Sequence, residues 1–361
     1  MAMIFVDGFS HYIDSNLASK WDVVADSQNN LPGNKLAQDP VGGRFGRGAI
    51  VFSTYVFSGI SNDTQYVQKN YSGVATAVTG FAFRQVGTQV TNGGRLLTFL
   101  DGNTRQVCID VMPSGQLRAV RSTAAGSGIF DSNHSTTLAT SANAISSSSY
   151  DYLEFKITHH ATLGSITVKR NGTETFWTVT NINTDVAGSG TSSSLLLGSA
   201  SRDGGSSRVL SGIVSDFYLL NTSGSAPEND FLGDIQVETL RPTADGNYTE
   251  WTPNTGTDHF ALVDDANNAI DDDATRNSSL TVGNRDTFEF ENSAGPVGAS
   301  VKIVCYTMYC EKTTGGANAV KGLARLAAAC RRRQSRAGAD HVRHCRRAPP
   351  DRVGGDVASR L

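Results

Sequence analysis

The chain has 361 residues, enough for two domains of ordinary size. Its 18% charged residues, 37 Gly and 9 Pro, set among abundant Ser, Thr and Asn, are the composition of an all-β protein with many turns. A formal net charge of −3 gives no general attraction to nucleic acid or to an anionic membrane surface, and no apolar run approaches the roughly 20 residues a membrane helix needs. The five cysteines, Cys108, Cys305, Cys310, Cys330 and Cys345, have neither the paired spacing of a zinc site nor that of a disulfide framework.

The opening MAMIFVDGFSHY lacks the basic region, apolar core and small-residue cleavage site of a secretory signal, and residues 3–6 read as a short strand. IDSNLASKW suits one helical turn capped by Asp14 or Ser15. The Gly-rich run from Gly42 to Gly48 lacks the Gly-Lys-Ser/Thr ending of a phosphate-cradling loop and reads as a connection before a strand. Strands are predicted at 49–57, 74–84, 95–100, 106–112 and 117–122, the last three joined by Asp101-Gly102 and Pro113-Ser114-Gly115 turns. A Ser-rich surface loop is expected over 123–149.

Leu153, Phe155 and Ile157 then alternate with polar residues, as do Ile166 and Val168, which is the period of half-buried strands. Asn171-Gly172, before the run 173–179, predicts a type I′ hairpin because both residues tolerate positive φ. His159 and His160 lie at the end of the first of these strands. Neighbours on a strand point to opposite faces, so this pair marks a strand end and does not close on one metal ion. LLLGSA and SGIVSDFYLLNTSG add two more strands. About a dozen short strands in the first 225 residues predict a sandwich or jelly roll.

The run YLEFKIT, a turn, SITVKRNG, and later SLLLGSA and SGIVSDFYLLNTSG resembles the concanavalin A-like, laminin-G-like jelly roll. MIFVDGFSHY with KW at the start, and FLGDIQVETLRPTADGNYTEWTPNTGTDHFALVDD followed by SSLTVGNRDTFEF, resemble a family of structural proteins of tailed bacteriophages. In that family a laminin-G-like domain precedes a smaller β domain. The resemblance covers about residues 1–314. It implies a jelly-roll β-sandwich over 1–228 followed by a smaller β domain over 229–314, and in that second segment 234–240, 287–291 and 300–309 themselves read as strands of an incomplete-looking sandwich.

From Gly315 the chain changes to Arg- and Ala-rich sequence without period-two patterning, with eleven Lys or Arg against three Asp. This basic tail, 315–361, is expected to be disordered. Family members continue with β-type sequence past this point, so a reading-frame shift between Gly315 and Leu326 is the expected source. Translation of the other two frames tests that, and absence of β-patterned sequence in both sinks it. The rival is a basic arm for nucleic acid or an acidic surface, although Arg331 to Arg333 and Arg346 to Arg347 lack the interleaved aromatics that stack bases.

Sandwiches of this class include glycosidases, whose chemistry needs two carboxylates facing across a cleft. No Glu-x-Asp-x-x-Glu run is present. Glu289 and Glu291, the nearest match, read as the exposed face of a strand over a core. Gly188-Ser189-Gly190 lacks the strand and helix of a nucleophile elbow. No catalytic residue, cofactor or metal ligand is therefore assigned. The acidic loop with Asp264, Asp265, Asp271, Asp272 and Asp273 is a candidate for calcium without EF-hand spacing. Sequons at Asn62, Asn171 and Asn277 are expected by chance in such a composition.

The resemblance implies a non-enzymatic virion protein on a phage head or tail, assembled in the bacterial host cytoplasm. Its expected partners are other virion proteins, copies of itself in a homo-oligomer, and host surface glycans. No membrane or nucleic-acid partner is expected. Trp177, Tyr150 and Tyr152 are the candidate glycan contacts, against the alternative that they pack in the core. The competing functional readings are a polysaccharide depolymerase and a purely architectural cement protein.

Overall fold

The computed structural model describes residues 3–11, 16–26, 36–52, 64–87, 89, 93–126, 135–200, 210–265, 274–295 and 299–305. Two antiparallel sheets face one another. The strands are β1 (Met3–Asp7), β2 (Val23–Asp26), β3 (Ala37–Asp39), β4 (Ala49–Phe52), β5 (Thr64–Val74), β6 (Thr76–Gln85), β7 (Gly94–Asp101), β8 (Thr104–Val111), β9 (Gln116–Ser122), β10 (Ser135–Ala144), β11 (Asp151–Thr158), β12 (Gly164–Arg170), β13 (Glu174–Ile182), β14 (Ser192–Ala200) and β15 (Gly212–Asn221). The first sheet runs β13-β12-β11-β6-β15-β4-β3, with β1 also on β15, and the second runs β10-β9-β8-β7-β14-β5-β2. The fold is thus the predicted all-β jelly-roll sandwich.

Alternation builds the core. Phe81, Phe155, Phe217 and Leu219 from the first sheet meet Leu97, Phe99, Ile109 and Leu197 from the second, all fully buried. Phe81 stacks on Phe155 and Phe217 at centroid distances of 5.7 and 6.1 Å. The N-terminal DGF and KW motifs close one corner of this core. The Asp7 carboxylate accepts the Phe9 N–H (2.8 Å) and the Trp21 indole N–H (2.9 Å), and Trp21 lies edge-on to Phe217 at 5.2 Å.

Several expectations are corrected. The strand β5 was not anticipated: its second half, Gln68 to Gly73, is polar and carries no alternation. The Ser-rich stretch expected as a loop contains the ten-residue β10, which pairs with β9 at the sheet edge, where one side needs no apolar partner. The predicted helical turn is Leu17–Lys20 with Asn16 at its N-cap, where no side-chain cap bond forms. Asp14 and Ser15, the expected caps, lie outside the described residues. Asn171 and Gly172 take positive φ of 51° and 83°, but Arg170 pairs with Glu174, so the loop is one residue longer than a two-residue turn.

β15 carries a bulge. Ser215 faces Ala82 and Tyr218 faces Gly80, so Asp216 and Phe217 share one partner position, and Asp216 has φ of 53°. The extra residue sends Phe217 and Leu219 inward and Asp216, Tyr218 and Leu220 outward. On that outer face, Val78, Ala82, Tyr152, Tyr218 and Leu220 form a second buried cluster with Leu232. A Cβ on Gly80 would sit 2.3 Å from the Tyr218 ring, which explains a glycine in mid-strand.

The stretch 231–240, expected to include a strand, forms no ladder and instead crosses this outer face as a strap. Its polar groups bond to side chains: Gly233 N–H to Glu154 (2.9 Å) and Val237 N–H to Asp216 (2.8 Å). Beyond it, β16 (Pro242–Thr249) pairs with β19 (Asp286–Phe290), and β17 (Thr252–Pro253) pairs with β18 (Asn277–Ser278). The predicted strand at 287–291 is thus present, one residue earlier at each end. The described residues 299–305 form no strand, and 306–309 lie outside the described residues. Contacts join the sandwich, the strap and these small sheets in one unit, Met1–Ile303. The tail 315–361, with Cys330 and Cys345, lies outside the described residues, as do Cys310, Asn62 and Asp271 to Asp273.

Candidate functional site

His159 and His160 take different environments at the end of β11. His159 is buried, its Nδ1 is 3.3 Å from the Thr184 carbonyl, and desolvation lowers its pKa from 6.5 to about 4, so the ring is neutral. His160 is exposed and its Nδ1 accepts the N–H groups of Thr162 (3.0 Å) and Leu163 (2.8 Å), closing the turn after β11. They point apart and cap a strand end. Glu289 and Glu291 are both exposed, and Phe290 between them is 53% exposed, so no core lies beneath that end of the strand.

The three aromatic candidates separate. Trp177, 9% exposed, packs with the main core from the register position opposite Val168. Tyr152 is fully buried, and its hydroxyl donates to the Asp216 carbonyl (3.2 Å). Neither presents an open ring. Tyr150 is half-buried at the sheet end, and its hydroxyl donates to the Gly42 carbonyl at 2.5 Å. Burial raises the pKa of both tyrosines.

Tyr150 and Tyr152 therefore converge on the Gly42 to Gly48 loop, which was read from sequence only as a connection. That loop is preorganised. Asp39 Oδ1 accepts the N–H groups of Val41 (3.0 Å) and Gly42 (2.8 Å), and Gly43 N–H donates to the Arg47 carbonyl (2.8 Å). A Cβ on Gly43 would fall 2.4 Å from the Gly48 carbonyl oxygen, so the pinch requires glycine. Phe45, at the tip, has φ of 62° and is 66% exposed. A bulky residue in the left-handed region is a true outlier, and such strain gathers where a side chain is displayed for use.

Arg44 ties the loop to everything around it. Its guanidinium lies 4.8 Å from the Phe45 ring centroid and 4.9 Å from that of Tyr152, donates to Asp216 (3.2 Å), and reaches Asp234 and the Ile235 carbonyl of the strap. Arg47 pairs with Glu238 at 2.6 Å. Despite Arg44, burial raises the Asp216 pKa. Glu154, under the strap, behaves likewise: desolvation raises its pKa, while Oε1 accepts from Tyr218 (2.6 Å) and Gly233 and Oε2 has no partner. Its one open oxygen is enclosed, so Glu154 is a structural acid beneath the strap.

The Phe45 display was missed because sequence shows neither its exposure nor its backbone strain. The only signal was the density of glycine flanking one aromatic. An open pocket of about 380 Å³ lies between β17, β18 and the following loop, lined by Thr252, Ser278, Ser279, Leu280, Thr281 and Asn284. Among the described residues no group of three metal-ligating side chains occurs.

No family model and no curated protein matches the chain. Solved structures do, at low similarity. The heptameric SAP-like pentraxin of Limulus polyphemus is 13% identical over 45% of this chain and 71% of its own, with a TM-score of 0.29. The alginate lyase vAL-1 from Chlorella virus is 12% identical over 61% and 99%, with a TM-score of 0.32. The CBM40 module of the Ruminococcus gnavus IT-sialidase, bound there to α2,3-sialyllactose, is 13% identical over 42% and 90%, with a TM-score of 0.29.

Proposed function

We propose that the chain is a non-enzymatic structural protein of a phage particle, an adhesion or decoration module whose sandwich rim binds host surface glycans. The observation that carries the binding part is Phe45: a large apolar ring held open to solvent, in a strained conformation, on a loop fixed by Asp39, Arg44 and Tyr150. A rigid two-sheet core supports such a loop at little cost to stability, which suits a contact module. The particle assignment is supported by the resemblance of the sandwich flanks and strap sequence to tailed-phage structural proteins, and copies of the chain and other virion proteins are its partners on that reading.

The test is retention of the purified protein on host surface polysaccharide, together with assay for new reducing or unsaturated ends. Retention without cleavage supports adhesion, and release of ends assigns the protein to the depolymerases. Antibody labelling of purified virions, viewed by electron microscopy, tests the particle assignment. Intact particles without label remove it.

A further inference from the structure

Beside Tyr150 stands a guanidinium that no carboxylate neutralises among the described residues. Arg84 leaves β6 at the same sheet end, and its Cζ lies 5.1 Å from the Tyr150 ring centroid. Its Nε is buried without a hydrogen-bond partner, and it makes no ion pair among the described residues. The other arginines of this rim are neutralised: Arg44 by Asp216 and Asp234, Arg47 by Glu238. An always-cationic planar fork that is half-buried beside an aromatic ring, with no carboxylate paired to it among the described residues, is placed to take an anion.

Tyr150 links that cation to the displayed ring, because its hydroxyl is bonded to the loop that carries Phe45. A cation at one end and an exposed apolar ring at the other match a sugar that carries a negative group and presents a C–H face. We propose that Arg84, Tyr150 and Phe45 line a site for an acidic oligosaccharide, Arg84 taking a carboxylate or sulfate and Phe45 covering the apolar face of a sugar ring. This rests on the glycan-binding reading above and narrows it to acidic polysaccharide. Charge-assisted, two-pronged contact is the way arginine selects such groups.

Calorimetric titration of the full chain with trigalacturonate, its trimethyl ester and neocarrabiose sulfate tests this. The acid or the sulfate should bind at least about tenfold more tightly than the ester, the scale of one charge-assisted hydrogen bond, and which of the two does so names the anion. Arg84→Gln should bring the acid down to the affinity of the ester, Arg84→Lys should recover part of the difference, and Phe45→Ala should weaken the acid and the ester alike. Unchanged melting temperatures separate these effects from misfolding, and the comparison of acid with ester in the wild type needs no variant. Equal affinity for acid, sulfate and ester overturns the site but leaves glycan adhesion standing. No binding by any of the three, with retention on host polysaccharide intact, likewise rejects this site alone, whereas loss of retention too rejects both.

Discussion

In the sandwich, Phe81, Phe155 and Phe217 stack with no exposed surface, whereas in the segment beyond the strap Leu280 and Val282 stand 97% and 94% exposed. Sheets of seven and eight strands have faces broad enough to enclose a layer of side chains between them. Two-stranded sheets do not, and they are marginal by themselves. The downstream segment is instead organised by polar contacts to its backbone. Asp245 accepts the N–H groups of His259 (3.0 Å) and Phe260 (2.6 Å), and Asp286 accepts that of Trp251 (3.0 Å) while facing His259 Nδ1 at 2.9 Å. The two regions use similar residue types but differ in the layer available to bury them.

That contrast makes an order of mutational cost. Phe217→Ala, at the meeting point of Phe81 and Trp21, should cost about 3–5 kcal/mol in urea unfolding. A loss under about 1 kcal/mol would mean the sandwich is not the stabilising layer. Arg44→Ala removes the cation from buried Asp216 and cuts the strap loose from the rim, for a loss of about 3 kcal/mol and faster proteolysis within 231–240. Protection of the strap unchanged in that variant would show that Arg44 does not hold it.

His159 gives the sandwich a pH signature. Its folded pKa, about 4, lies below the unfolded 6.5, so the folded state binds fewer protons and stability falls as pH drops through that window, by about 2 kcal/mol between pH 7 and 5. Glu154 and Asp216, raised by burial, act in the opposite sense, stabilising the fold as pH falls toward the ordinary carboxylate range. The readout is therefore the difference between wild type and His159→Gln across that range, and parallel pH curves would refute the burial of a neutral imidazole. Phe45→Gly, relieving the left-handed conformation of that exposed ring, should gain about 0.5–1 kcal/mol while weakening the proposed retention on glycan. Smallest of all, Leu280→Ser should shift stability by less than about 0.5 kcal/mol, and a cost above 1 kcal/mol would reveal a buried role for that loop.

Sequence periodicity carried the sandwich. Wherever one strand face was apolar, as at Leu153, Phe155 and Ile157, the period of two was enough to place the strand and its inward side. It failed where strands sit at edges or carry polar residues, as in β10 and the second half of β5, because hydrogen bonds to neighbours hold those strands without a patterned face. The strap failed the other way: 234–240 alternates like a strand, but Glu154, Asp216 and Arg44 take its backbone groups before any ladder can. At the candidate site, Tyr150 and Tyr152 were legible as aromatics of interest but not as one open and one enclosed ring. Arg84 and Phe45 depended on what stands beside them, which one-dimensional patterning does not record.

The strap is tied to Asp216 on β15 and Glu154 on β11, and each of these strands is zipped on both sides, β15 by β6 with β4 and β1, β11 by β6 and β12. A pull on the downstream segment therefore loads the middle of a sheet, where many ladder bonds must shear together, and spares the outermost strand, from which bonds would peel one at a time. The anchorage is built for tension.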